Sequence, residues 1–146
     1  MITYSDPSAI MGVLLQDAPD HERLRRLIVD GVDPIVTSEI AVTEVASASM
    51  AAQRGDRVAD GRLVAAGFDT LCTPGGRIRL LTLRPGPVFA RACALMAVHR
   101  VYALDAIHLA VALEEVVPLA AGEPVRFLTR DRQQADAARA LGFTVE

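Results

Sequence analysis

The sequence predicts an α/β fold, a sandwich in which helices flank a mainly parallel central sheet. Three observations predict it. Short apolar runs alternate with longer stretches of helical spacing. The boundaries carry cap and stop signals, with Asp6-Pro7 and Asp131 before helices and Gly31 and Gly142 after them. The 146 residues, 51% of them hydrophobic, suffice for one core and are expected to form a single domain over residues 1–146.

In order, Ile2 to Ser5 is a strand, and Ala9, Ile10, Val13 and Leu14 give the next helix its inward stripe, with Pro7 at its first position. A second helix spans about Pro19 to Asp30, turning Leu24, Leu27 and Ile28 inward. Pro34 to Thr37 is a short buried strand, after which Ser38 can cap an Ala-rich helix running to about Arg54. Gly55-Asp56 separates this from a helix over Arg57 to Leu71. Pro74-Gly75-Gly76 is a turn; Ile78, Leu80 and Leu81 form a strand; and Arg84-Pro85-Gly86-Pro87 breaks the chain again. Helices follow from Val88 to His99 and around Asp105. Glu114 to Pro124 reads as a loop, Val125 to Thr129 as a strand, Asp131 opens the last helix and Phe143 to Val145 is a terminal strand.

The formal net charge of -3 is not that of a strongly basic nucleic-acid binder. All 15 basic residues are arginine and none is lysine. No apolar run reaches the length of a membrane span, and MITYSDPSAI has no signal-peptide pattern, so a soluble cytoplasmic protein is expected. Cys72 and Cys93 lack metal-ligand spacing and read as reduced packing residues.

Four acids stand out. Asp6 and Asp131 each follow a strand, and Asp105 opens a helix within the apolar stretch VYALDAIHLAVAL. Each of the three has an ordinary explanation as an N-cap. Glu44 is harder to dismiss, because its same-face neighbours are Ile40, Ala41, Ser47 and Ala48, and a carboxylate beside a buried face is costly unless paired or bound to a cation. If the four converge, their repulsion raises their pKa values unless a divalent ion neutralises them. Oxygen ligands without a His or Cys cluster select Mg²⁺ or Mn²⁺ over Zn²⁺, and such a site suits metal-assisted phosphodiester hydrolysis. His108 lies one turn from Asp105 and could ligate or move protons. A packed, hydrogen-bonded histidine bracing the helix is the favoured reading. His21 and His99 lie in polar helix-end contexts.

Four segments, Asp6-Pro7-Ser8-Ala9, Ser38 followed by Glu44, Leu104-Asp105-Ala106-Ile107-His108-Leu109-Ala110, and Leu128-Thr129-Arg130-Asp131-Arg132, resemble in order and spacing the signatures of PIN-domain ribonucleases, specifically the VapC-type toxins of bacterial toxin–antitoxin systems. The resemblance covers essentially the full chain and implies a PIN-like three-layer sandwich. It implies a metal site of Asp6, Glu44, Asp105 and Asp131 taking Mg²⁺ or Mn²⁺, with Ser8 and Thr129 hydroxyls beside it. It also implies structured or single-stranded RNA as substrate, a VapB-type antitoxin as partner, and a homodimer. Pro7 departs from the family's usual Ser or Thr and removes one hydroxyl with the hydrogen bond it would make. Arg130 and Arg132 are candidates for phosphate contact. The six aromatics, all Phe or Tyr, leave few platforms for base stacking.

Two other readings compete. Receiver domains and haloacid-dehalogenase-type phosphatases also place Asp at the ends of parallel strands, but their chemistry uses a lysine this chain lacks. A catalytically weak PIN-fold module that binds antitoxin or RNA would keep the fold without the turnover.

Overall fold

The computed structural model describes residues 1–146. Strands β1 (Ile2–Ser5), β2 (Ile35–Ser38), β3 (Ile78–Leu81), β4 (Val125–Leu128) and β5 (Thr144–Val145) form one sheet in the order β3-β2-β1-β4-β5. Every neighbouring pair is parallel. The chain begins in the middle of the sheet, steps outward to β3, and returns on the other side of β1 as β4. Strand order therefore reverses between β1 and β4, which run in register from Ile2 opposite Val125 to Ser5 opposite Leu128. A crevice opens beyond the C-terminal ends of two such strands, where their crossovers leave in opposite directions.

The helices are α1 (Pro7–Leu14), α2 (His21–Ile28), α3 (Ala41–Arg54), α4 (Gly61–Cys72), α5 (Pro85–Val98), α6 (Ala103–Val111), α7 (Val117–Leu119) and α8 (Arg132–Ala140). Because successive strand side chains point to opposite faces, the core divides into two layers. Ile35, Ile78 and Leu128 pack with Ile10, Leu24, Val45 and Phe68 from α1 to α4. Tyr4, Val36, Leu81 and Phe127 pack with Leu95, Leu109 and Ala138 from α5, α6 and α8. On this second face Tyr4 stacks on Phe127, with ring centroids 5.3 Å apart and planes at 18°. No helix is long and apolar enough to cross a membrane.

Several boundaries differ from those the sequence suggests. Ser38 ends β2 rather than capping α3; its hydroxyl accepts from the Ile40 amide at 3.3 Å and the helix begins at Ala41. α4 begins at Gly61, because Asp60 takes the cap and its carboxylate accepts from the Arg62 amide at 2.9 Å. α5 begins at Pro85, where proline starts the helix instead of breaking it. Glu114 to Pro124 is mostly helical: α6 widens into a π turn over Ala112–Val116 and continues as α7. Glu114 and Glu115 fasten that turn to α5 through Arg91 and Arg84, each at 2.6 Å. Asp105 does not open α6; it lies in the first turn, and Tyr102 holds the cap. Cys93 is exposed on α5 and Cys72 half-buried, both as free thiols.

Candidate acidic site at the sheet switch point

Asp6 directly follows β1, and its amide donates to the Leu128 carbonyl at 2.9 Å, tying the start of α1 to the end of β4. Its buried carboxylate caps α1, one oxygen accepting from the Ser8 amide at 2.9 Å. Asp131, three residues past β4, caps α8 by accepting from the Gln134 amide at 2.7 Å. The capping account thus holds for both and not for Asp105. Capping and a place in the crevice are compatible, because a carboxylate at a helix N-terminus keeps lone pairs free for another partner.

Gln134, a residue the sequence did not mark, joins these groups. It is fully buried on α8. Its amide nitrogen donates to the second Asp6 oxygen at 3.0 Å and to the Asp105 backbone carbonyl at 3.3 Å, while its oxygen accepts from the Thr129 hydroxyl at 2.6 Å. Both groups facing the nitrogen are acceptors, so the amide has one possible orientation. With the Thr129 proton committed to Gln134, the Ser8 hydroxyl at 3.3 Å is the donor to Thr129, and Ser8 accepts in turn from the Arg130 amide at 2.9 Å. Thr129 also accepts from the Asp131 amide at 3.0 Å. Ser8 and Thr129 therefore brace the two loops that carry Asp6 and Asp131. Asp131 followed three residues later by Gln134, a favoured cap residue and a glutamine in the first turn, was the available signal in the sequence.

On the other side of the crevice, Glu44 in the first turn of α3 meets His108 of α6, Oε1 to Nε2 at 2.6 Å. The His108 ring is fully buried, and its Nδ1 stands 2.6 Å from the Tyr4 hydroxyl. Burial, and after it the Asp6 carboxylate, push the Tyr4 phenol well above its ordinary value, so it carries its proton and donates to Nδ1. In the neutral ring Nε2–H then donates to Glu44. The chain Tyr4–His108–Glu44 fixes the Glu44 side chain from beneath, which accords with a bracing histidine.

Asp105 faces all the other acids. Its carboxyl is raised to about 6, chiefly by burial, then by Asp6 and Asp131 and more weakly by Glu44, with His108 opposing. Asp105 thus feels the charge of the other three acids across the crevice. As the side chains stand, no three His, Cys, Asp or Glu groups are bunched closely enough to ligate one ion. Asp6, Asp131 and Glu44 are each held by their own donors, the Ser8 amide and Gln134, the Gln134 amide, and His108. The donor set still fits a hard divalent ion: all oxygens, predominantly carboxylate, with Asp105 drawn into the network through its backbone rather than its carboxyl. Arg130 is turned away and ion-paired with Asp20 at 3.1 Å, which removes it as a free phosphate contact.

The family profile of the PIN domain matches residues 4–140, and the chain belongs to that family. Among solved structures, the fold is similar to a chain of VapBC2 from Rickettsia felis bound to a DNA fragment from its promoter. The TM-score is 0.63 at 10% identity, covering 100% of this chain and 98% of that one. At that identity the likeness is one of fold. No curated protein matches the sequence significantly. PIN domains are generally nucleases, and a nuclease of this family accords with an acidic crevice at the switch point.

Proposed function

We propose that residues 1–146 act as a single PIN unit, a Mg²⁺- or Mn²⁺-dependent endoribonuclease of the VapC toxin type. Asp6, Glu44, Asp105 and Asp131 are its metal ligands. The observation that carries this reading is that β1 and β4 end side by side and deliver Asp6 and Asp131 to one crevice, where Gln134 ties the Asp6 carboxylate to the Asp105 backbone.

A bound divalent ion would lower the pKa of its water and offset charge on the scissile phosphate. The chain supplies the placement. Gln134 and Ser8 hold Asp6, the start of α8 holds Asp131, and His108 holds Glu44. A VapB-type antitoxin and a homodimer are the expected partners. The solved neighbour is a VapBC2 complex, which supports the first of these.

The test is incubation of total cellular RNA with the purified protein and Mg²⁺ or Mn²⁺, with EDTA and Asp6→Asn as controls. Discrete fragments that vanish in both controls are expected. A PIN-fold binding module with little turnover is the competing reading, favoured by the separation of the carboxylates as they stand. Folded protein that binds Mn²⁺ yet leaves every RNA intact would select it.

A further inference from the structure

We infer that the groove between the α5–α6 connection and α8 is a nucleotide subsite of the proposed nuclease, where Arg100 holds a phosphate and Tyr102 stacks on an unpaired base of single-stranded RNA. The inference rests on the nuclease reading and adds the residues that would recognise the strand.

Tyr102 is the first observation. Tyr4, Phe68, Phe127 and Phe143 are buried and Phe89 is 45% exposed on α5, whereas Tyr102 is 79% exposed. It also occupies the N-cap of α6, with ordinary cap backbone angles (φ -82°, ψ 168°) and no side-chain cap bond. Ser, Thr, Asp or Asn there would satisfy a free amide of the first turn, and tyrosine does not. An unfavourable cap and an exposed aromatic therefore coincide one turn before Asp105. Local rules are characteristically broken where a residue is kept for function.

Arg100 is the second. Two adjoining depressions, of about 380 and 370 Å³, share His99, Arg100 and Gln133, and Tyr102 lines one of them. Most arginines of this chain are spent on ion pairs, but Arg100 enters none. The one carboxylate lining the groove, Asp136, is already paired with Arg139 at 3.0 Å. The groove thus carries an uncompensated cation in a protein of net charge -3.

Its position links it to the crevice. Gln133 precedes Gln134, whose side chain bonds Asp6 and Asp105, and follows Asp131 by two residues. Tyr102 stands one turn before Asp105 at the head of α6, so the groove borders the two elements that carry Asp105 and Asp131. A free guanidinium beside an exposed ring recognises unstacked bases, whereas a duplex hides the faces Tyr102 would use.

The capping defect supplies a decisive variant. Tyr102→Ser should raise the melting temperature, by completing the cap, while weakening binding of a fluorescein-labelled 12-nucleotide oligoadenylate RNA about tenfold, read by anisotropy with Ca²⁺ in place of Mg²⁺. Tyr102→Phe should retain the affinity. Arg100→Ala should flatten the dependence of log affinity on log salt by about 0.7, the contribution of one phosphate on a single strand. With an RNA the native chain cleaves, KM should rise in Tyr102→Ser and kcat should hold. Native protein that binds and cleaves RNA, matched in affinity and KM by Tyr102→Ser, would overturn the subsite alone. Native protein that neither binds the oligonucleotide nor cuts total RNA would overturn the nuclease reading and the subsite with it.

Discussion

Gln134 shows how one neutral side chain can order a group of acids. Its amide gives Asp6 a donor without adding charge, and its length lets it reach Thr129 and the Asp105 carbonyl as well. Gln134→Glu keeps the shape but turns a carboxylate toward Asp6. It should lose about 2 kcal/mol or more of stability at pH 7, read by urea denaturation, and recover part of it as the solution is acidified. Gln134→Leu removes the donors without adding charge. In protein that still folds, Mn²⁺ affinity measured by calorimetry should fall about 10-fold or more, the usual effect of removing a group that orients a ligand. Asp131→Asn keeps the capping oxygen and removes one of the crowded charges, whereas Asp6→Asn removes a charge but sets its NH2 against the donor of either Ser8 or Gln134. Asp131→Asn should fold at least as well as the native chain in EDTA, Asp6→Asn should be less stable by about 1 kcal/mol or more, and both should lose RNA cleavage; loss of the fold in Asp131→Asn would assign that residue to structure alone.

At the scale of elements, the strands were legible in the sequence because each is a short apolar run bounded by Pro, Gly or Asp, and helix ends were less so. Asp6 and Asp131 could be read as caps since each combines a favoured residue with a preceding strand. Asp105 could not be excluded as a cap, because nothing local shows that α6 starts at the chemically unfavourable Tyr102. The π turn was hidden for a similar reason. Pro118 and Gly122 suggest a loop, and the burial of Ala112, Val116 and Ala120 in the core, joined by the ion pairs from Arg84 and Arg91, shows why helix persists there. The contact of α3 with α4 was also beyond local reading. A Cβ at Gly61 would lie 2.4 Å from the Ser49 carbonyl oxygen, so α4 packs against α3 backbone. Gly61→Ala should therefore destabilise the protein by about 1–3 kcal/mol, visible as an earlier urea midpoint, although alanine is the better helix former.

Over the whole molecule, the topology gathers side chains from distant parts of the chain, and electrostatics then works against the gathering. Asp6, Asp105 and Asp131 were individually visible in the sequence, but the route that unites them is the reversal of strand order between β1 and β4, and Gln134, which ties Asp6 to the Asp105 backbone, belongs to none of the signature segments. The cost of the arrangement falls on Asp105. Its carboxyl rises from 3.8 to about 6 in the folded, ion-free chain, so folding favours its protonated form. The associated stability is fully present below about pH 4 and is lost as pH rises through about 6. Asp105→Asn removes that dependence. In EDTA it should be about 1–2 kcal/mol more stable than the native protein at pH 8, after allowing for solvent screening of a half-buried group, and close to it at about pH 4.5. Mn²⁺ at pH 8 should reverse the order, since an ion bound only by the folded state stabilises the native chain more than a variant lacking one ligand. Urea denaturation at the two pH values, with and without Mn²⁺, checks both signs. If Asp105→Asn gains nothing in EDTA at pH 8, the carboxyl is better solvated than its position among the acids implies. If it gains there and Mn²⁺ fails to reverse the order, Asp105 is strained by its neighbours without serving as a ligand.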